Sequence, residues 1–316
     1  MMNILVTGAA GFIGSHLTER LVSLNYNVIA LDCFLNNYSK AIKELNVAQL
    51  LNRDVKFFNL DLSKDNLSLV TKNIDLVVHL AAQPGIDDSV PFHSYLQNNV
   101  LATYRLLDAI KNINISGFLN ISTSSVYGSN ATGDESSEPK PISYYGVTKL
   151  AAEQLVLSES RNRYIKACSL RLFSAYGPRE RPEKLYHKLI KCILNDDVFP
   201  LGLGSNNHIR SYTYIDDIID GIISVINNIQ ICKGEIFNIG TDQTISTSEG
   251  IRIVEEIIGQ KAKLKIGPIR SGDQQITHAN INKAKELIGY NPVIKPEDGI
   301  RKEVEWYKTQ LLGKNY

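Results

Sequence analysis

Tyr145-Gly-Val-Thr-Lys149 sets a phenol and an ammonium one helical turn apart, on one face of the helix this segment is expected to open. A phenol with its ordinary pKa of about 10 is a poor base at neutral pH. A cation one turn away stabilises the phenolate and lowers that value, which lets the tyrosine exchange a proton. The chain has 15 tyrosines, so such a spacing arises by chance, and its placement is what makes it informative. It follows a strand ending in Ser122-Thr123-Ser124-Ser125-Val126-Tyr127-Gly128, so a row of hydroxyls stands beside the pair.

A second set of residues has the chemistry to hold a dinucleotide. Strand residues Ile4, Leu5 and Val6 lead into Thr7-Gly8-Ala9-Ala10-Gly11-Phe12-Ile13-Gly14 and then a helix, the context a phosphate-binding glycine triplet requires. Gly8 makes the tight turn, Gly11 lets backbone approach pyrophosphate, and Gly14 lets helix pack on strand. The helix N-terminus, at Phe12 and Ile13, offers free N–H groups to the phosphates. Asp32 ends the second strand, where a carboxylate accepts both ribose hydroxyls and repels a 2′-phosphate. Cys33, not Arg, follows it, so the cofactor read from these residues is NAD, not NADP. Asp61 and Leu62 follow the third strand, where they can meet the adenine. His79-Leu80-Ala81-Ala82 closes the fourth with small residues against which a ribose can lie.

These residues act together only if strands and helices alternate so that their loops meet at one edge. The β-branched runs predict strands at residues 3–7, 27–31, 56–60, 76–80, 118–121 and 166–170. Helices are expected at 12–23, 94–111 and 144–161. The fold class is therefore α/β, a Rossmann-type doubly wound parallel sheet. After Arg171 the rhythm breaks, and helices are expected at 184–195, 216–227, 247–259, 282–288 and 297–312. Ser246-Thr-Ser-Glu249 reads as a capping box for the third of these. The division drawn is a nucleotide-binding domain at 1–170 and a smaller α/β substrate lobe at 171–316, with a soft boundary and interleaved lobes.

Composition narrows the classes. Thirty-four basic against 33 acidic residues gives a charge of +1, which argues against a nucleic-acid partner. No apolar run is long enough for a bilayer, so no membrane association is expected, and no leader precedes Met1-Met2-Asn3. Cys33, Cys168, Cys192 and Cys232 are scattered and read as reduced thiols of a cytoplasmic protein, with no metal-ligand spacing among them or the histidines.

The segments TGAAGFIG, HLAA, STSSVYG, YGVTK, YGPRERP, RSYTYIDD and RSGD occur in an order that resembles the extended short-chain dehydrogenase/reductase family, in particular its nucleotide-sugar epimerases and dehydratases. The resemblance spans nearly the whole chain. It implies that Thr123 is the catalytic hydroxyl, Tyr145 the acid/base and Lys149 the lysine on the nicotinamide ribose. Arg210 and Arg270 match arginines that hold the nucleotide diphosphate. The cofactor set then also takes in Asn36, Asn37, Gln83 and Asn99. The set for a UDP-sugar substrate is Thr123, Ser124, Ser125, Tyr145, Ser174, Arg181, His187, Arg210, Arg270 and Asp273. The family commonly dimerises through two helices per subunit, here 94–111 and 146–161.

Within that resemblance the residues after Thr123 discriminate. The 4,6-dehydratases carry Asp-Glu there and the UDP-xylose-forming decarboxylases carry Ser-Glu, whereas this chain has Ser124-Ser125. Both patterns of acid are missing, and what remains is a reversible redox step at C4, that is, 4-epimerisation with NAD tightly held and regenerated. The serine run, Ser174 and YGPRERP look like bacterial UDP-glucuronate 4-epimerases. Hydroxyls from Thr123, Ser124, Ser125 and Ser174 can pin the carboxylate of a 4-keto glucuronate, a β-keto acid, away from the geometry in which it loses CO₂. Alternatives are a small polar pocket for UDP-glucose or UDP-N-acetylglucosamine, a reductase that releases reduced cofactor, and a non-catalytic NAD-binding protein. Where relatives show a Val-Arg pair, this chain reads Gln83-Pro-Gly-Ile-Asp87-Asp88, and Arg181 is the compensating cation expected for the substrate's phosphate or carboxylate.

Overall fold

The computed structural model describes residues 1–314 apart from 54, 88, 164, 270 and 271. Seven parallel strands form its central sheet, in the order Ile236–Ile239, Ala167–Leu172, Gly117–Thr123, Leu76–His79, Asn3–Thr7, Asn27–Asp32 and Lys56–Asn59. Leu5, Val77, Phe118 and Ala167 are fully buried under helices on one face, and Ile4, Val6, Val78 and Leu119 under those on the other. Burial on both faces is why these strands are continuous apolar runs and not alternating ones. The chain leaves the first strand outward to Asn27–Asp32 and Lys56–Asn59, then returns to pair Leu76–His79 on the first strand's other side. Order reverses between these two strands, so a crevice opens at their carboxyl ends.

The strands match the expected positions to within a residue or two, with one consequential addition. Ile236–Ile239 pairs with Ala167–Leu172, so the sheet takes its seventh strand from the second half of the chain. A strand as buried as Ala167–Leu172 needs a partner on its outer edge, and Ile236–Ile239, from within the second lobe's stretch of chain, supplies it. A boundary at residue 170 thus cuts through one sheet. The exchange runs both ways: Asn130–Ala131 joins a small second-lobe sheet with Ile276–Thr277, Ile209–Arg210 and Ile245–Ser246.

Local signals account for the element ends. Ser246 Oγ accepts from Glu249 N at 3.1 Å and Glu249 Oε2 accepts from Ser246 N at 2.7 Å, the reciprocal box that starts helix Thr247–Ile258. Gly259 ends it in the left-handed region at φ 82°. The helix expected at 94–111 is instead three joined pieces, Phe92–Tyr95, a π-helical Leu96–Leu101 and Ala102–Ile110. Within the wider π turn Asn99 faces inward and is buried. Among the described residues, no helix is long and apolar enough to cross a membrane.

Candidate active site

One cavity of about 1750 Å³ runs along the carboxyl ends of the strands and between the two lobes. Single small-molecule sites are usually about 300–1,000 Å³, so this one has room for two ligands side by side.

The glycine turn closes one end. A Cβ on Gly8, whose φ is +73°, would stand 2.8 Å from Ala81 N, and one on Gly14 would stand 2.1 Å from Gly8 O. Only glycine permits both this turn and the helix packed on it. No side chain caps helix Phe12–Ser23, so its first N–H groups face the cavity through Gly11, Phe12, Ile13 and Gly14. Asp32 lies across from them, with Oδ2 accepting from Ala10 N at 3.0 Å and Oδ1 from Phe34 N at 2.8 Å. Burial pushes its pKa up, while the Phe34 N–H and the nearby Lys43 ammonium pull the other way. The glycine cradle and a carboxylate set across from it suit a pyrophosphate and an adenosine ribose, so these residues fit NAD. Leu62, Leu80, Ala81, Ala82, Gln83, Asn36 and Asn37 also line this end.

One sequence expectation needs correction here, that Asn99 meets the cofactor. Asp61 lines the cavity, but its carboxylate turns back to its own loop: Oδ1 accepts from Ser63 N at 2.8 Å and Oγ at 2.7 Å, and Lys64 lies 3.2 Å from Oδ2. Burial acts upward on its pKa, but those donors outweigh it and hold the acid below its ordinary value. Asn99 does not line the cavity. It accepts from Gln83 N at 2.7 Å and donates to Thr148 Oγ1 at 3.0 Å, so it braces the cofactor loop on the Tyr145 helix. His79 is a neutral strut: Thr7 Oγ1 accepts from Ala81 N at 3.2 Å and lies 2.8 Å from Nδ1, while Nε2 lies 2.9 Å from Thr103 Oγ1. Thr103 spends its own proton on Asn99 O, so it accepts from Nε2–H and Nδ1 accepts from Thr7. Burial, then Lys149, lowers the His79 pKa to about 3.

At the other end of the crevice Gly146 brings the Tyr145 helix against the serine loop, for a Cβ there would lie 2.7 Å from Ser125 O. The Thr123 hydroxyl donates to Ser125 Oγ at 3.3 Å beside the Tyr145 phenol, and Tyr145, Thr123, Lys149, Ser124, Ser125 and Ser174 all line the cavity. Lys149 is buried and donates to Ile121 O. Burial lowers its pKa to about 8, and Glu153, one turn further on, opposes that. The lowered tyrosine pKa expected from Lys149 is not what the fold produces. Burial raises Tyr145, and Arg181 and then Thr123 oppose it. Lys149 donates to the Ile121 carbonyl, and Arg181 reaches over the crevice beside Gly85.

The second lobe supplies the remaining wall. Arg181 pairs with Glu183 at 2.5 Å, and Arg210 bonds Asp273 at 3.2 Å and the Gln274 carbonyl. His187 also lines the cavity, packed edge-on to Tyr307 at 5.2 Å, and burial lowers its pKa to about 4. Arg270 lies outside the described residues, as does Asp88. Asp87 faces the cavity, but its Oδ1 accepts from Ser89 N at 2.8 Å and Oγ at 2.7 Å.

Sequence reasoning missed Lys43 and Gln274. Lys43 is buried, bonds Asn37 Oδ1 at 2.7 Å and stands 4.5 Å over the Tyr38 ring, which fixes the loop after Asp32. Its signal was a lysine on the helix face it shares with buried Asn46, Val47 and Leu50. Gln274 donates to Ser124 O at 3.2 Å and Gly128 O at 2.8 Å, stitching the serine loop to the second lobe. Nothing local marked it.

Sheet, glycine cradle and Tyr145–Thr123–Lys149 group define a nucleotide-dependent redox enzyme of the NAD dependent epimerase/dehydratase family, whose model matches residues 4–240, and the chain belongs to that family. Over 98% of this chain and 99% of the other, it superimposes with a TM-score of 0.94 on the UDP-glucuronic acid 4-epimerase from Bacillus cereus in complex with UDP-glucuronic acid and NAD, at 38% identity. It is 37% identical to the uncharacterized UDP-glucose epimerase YtcB of Bacillus subtilis, covering 99% of this chain and 100% of that protein. To the UDP-glucuronate 4-epimerase of Thermodesulfobacterium geofontis it is 31% identical, covering 97% of this chain and 96% of that protein.

Proposed function

We propose that this protein is an NAD-dependent UDP-sugar 4-epimerase that interconverts UDP-glucuronate and UDP-galacturonate. The observation that carries this is the wall around the Tyr145 phenol. Thr123, Ser124, Ser125 and Ser174 supply hydroxyls there, Arg181 supplies a cation, and neither position after Thr123 holds the acid an elimination needs. NAD, when bound, supplies the acceptor for the C4 hydride and returns it. Tyr145 removes the proton from the sugar O4 and gives it back after the 4-keto sugar has turned over, with Thr123 holding the oxygen between them. Lys149, anchored on Ile121 O, stands one turn along the same helix, where a nicotinamide ribose hydroxyl is in reach. Arg210, with Asp273 as its counter-charge, is suited to the diphosphate.

The test is NMR of purified protein mixed separately with UDP-glucuronate, UDP-glucose and UDP-N-acetylglucosamine, with no NAD added. Conversion of the glucuronate alone supports the full reading; turnover of a neutral sugar alone keeps the mechanism and removes the substrate. One observation favours that second reading: Ser124 Oγ already donates to Gln274 Oε1 at 3.3 Å and so serves the pocket wall. Ser174→Ala is expected to raise the fraction of decarboxylated product from UDP-glucuronate, read as CO₂ release against galacto epimer. An unchanged ratio would show that Ser174 does not hold the carboxylate.

We further infer a homodimer. Leu96, Leu101 and Tyr104 on one helical stretch and Tyr144 and Val147 on the next expose apolar side chains on adjoining helices. Leu101→Glu with Tyr104→Glu is expected to halve the mass seen by light scattering, and an unchanged mass would place the interface elsewhere. The free cysteines support a cytoplasmic setting.

A further inference from the structure

Residues 272–278 run between the serine loop and the strand that carries Arg210. Gly272 enters the segment in the left-handed region at φ 70°, and Ile276–Thr277 pairs in parallel with Asn130–Ala131. Gln275 N donates to Ser129 O at 2.9 Å and His278 N to Ala131 O at 2.8 Å, so the main chain is zipped to the residues that follow the serine loop. On its other side Ile209 N donates to Gln275 O at 3.1 Å, which draws in strand Ile209–Arg210.

Gln274 stands between the two. It is buried, and it lines the cavity. Its main-chain carbonyl accepts from the Arg210 guanidinium, which also holds Asp273 Oδ1 at 3.2 Å. Its side chain goes to the serine loop: Nε2 donates to Ser124 O at 3.2 Å and to Gly128 O at 2.8 Å, and Oε1 accepts from Ser124 Oγ at 3.3 Å. The amide fits only this way round, because two carbonyl oxygens at one end require its N–H groups there. Those carbonyls bracket one 3₁₀ turn, Ser124–Tyr127. Gly128 can aim its carbonyl at Gln274 because its φ is +92° and a Cβ would collide with Lys140 O. Other bonds hold the turn to its own strand and to the sheet. Thr123 Oγ1 accepts from Ser125 N at 3.2 Å, and the Tyr127 phenol donates to Asn238 Oδ1 at 2.8 Å. The Gln274 amide is what joins it to the residue that holds Arg210.

The two ends of a bound UDP-sugar thus meet groups that one residue keeps apart. Arg210 is suited to the diphosphate, and the Ser124 turn stands with Thr123 beside the Tyr145 phenol. Epimerisation needs the 4-keto sugar to turn over while its diphosphate stays gripped, so the spacing of grip from wall has to survive both hydride transfers. We propose that Gln274 is a positioning residue that sets the distance from Arg210 to the Ser124 turn and so keeps the 4-keto sugar in the site until it is reduced again, a role that rests on the 4-epimerase reading. Its carbonyl serves the grip and its side chain serves the wall, so a side-chain substitution separates the two.

Gln274→Met keeps the length of the side chain and the carbonyl that serves Arg210, and it removes the amide that serves the turn. The readouts are kcat with whichever UDP-sugar the wild type epimerises, calorimetric affinity for UDP, and the reduced-nicotinamide absorbance of the enzyme during turnover. In Gln274→Met kcat is expected to fall about 10²-fold, the cost of a misplacement on the order of 1 Å, while UDP affinity is unchanged. A keto sugar that leaves before the hydride returns leaves reduced cofactor behind, so the absorbance should climb during turnover in the variant and stay flat in wild type. Gln274→Lys, whose ammonium can donate to both carbonyls, should recover most of the lost kcat with a flat absorbance. Equal losses of kcat and UDP affinity would place the effect at Arg210 and overturn the proposal. Wild-type kcat in Gln274→Met overturns it, and so does a lower kcat with a flat absorbance. If Gln274→Met does not fold, Gln274→Lys decides: a kcat near wild type supports the role, and a low kcat or a climbing absorbance overturns it. A wild type that converts no UDP-sugar removes the epimerase reading, and this role with it.

Discussion

Tyr145→Phe is expected to lower kcat by about 10²–10⁴-fold, the usual worth of a positioned acid/base, with KM and retained nucleotide near their wild-type values. The substitution removes one oxygen and keeps the ring, which packs at 6.4 Å from Tyr95 and is held by a helix pressed on Ser125 through Gly146. Loss is therefore confined to the proton transfer. Burial raises the phenol and Arg181 and Thr123 oppose that; it is the phenolate fraction that takes the O4 proton, and the resulting phenol that returns it. Epimer formation followed by NMR gives the rate, and calorimetry with UDP-sugar gives the affinity. A variant that kept a tenth or more of wild-type kcat would move the acid/base role to another hydroxyl, of which Thr123 is the nearest.

The largest effect on stability is expected from Glu153→Ala. Glu153 Oε1 accepts from Arg171 at 2.7 Å and Oε2 from its Nε at 3.1 Å, and the side chains are 0% and 2% exposed. Arg171 also stacks 4.7 Å from the Tyr127 ring, so one ion pair ties the Tyr145 helix to the strand edge and to the serine loop. Removing one partner of a buried pair leaves an uncompensated charge, and the cost is about 3–5 kcal/mol. Urea unfolding should report it. The double variant Glu153→Met with Arg171→Met should lose less, because it leaves no orphan charge. A second consequence separates this pair from an ordinary core contact. Glu153 is what opposes the burial-driven lowering of the Lys149 pKa, so any Glu153→Ala protein that folds should lose activity at lower pH than wild type on the alkaline side. Equal alkaline limits would show that the pair is structural only.

Much of the molecule was legible in the sequence because the signals are local. The Gly8–Gly11–Gly14 turn is dictated by what a Cβ would strike, and the Ser246–Glu249 box by two side chains three residues apart. The strands could be read because burial on both faces leaves continuous apolar runs. Tyr145 and Lys149 share a face because a helix repeats every three to four residues, which also fixed the class of chemistry. The fold departs from those local readings where a side chain's partner is remote or unmarked. Lys149 donates to Ile121 O, Asn99 turns inward to Gln83, and Asp61 caps its own loop.

By itself, then, the chain determined a dinucleotide cradle, a parallel sheet and a proton-exchanging tyrosine with hydroxyls beside it. Each follows from spacing within one element or one turn. Tertiary structure alone decided that the sheet takes a strand from the second lobe, that Arg181 is the cation acting on Tyr145, and that Glu153 meets Arg171 out of water. Those outcomes depend on segments far apart in the chain, and the energy of a buried charge is set by what surrounds it, which no local spacing records.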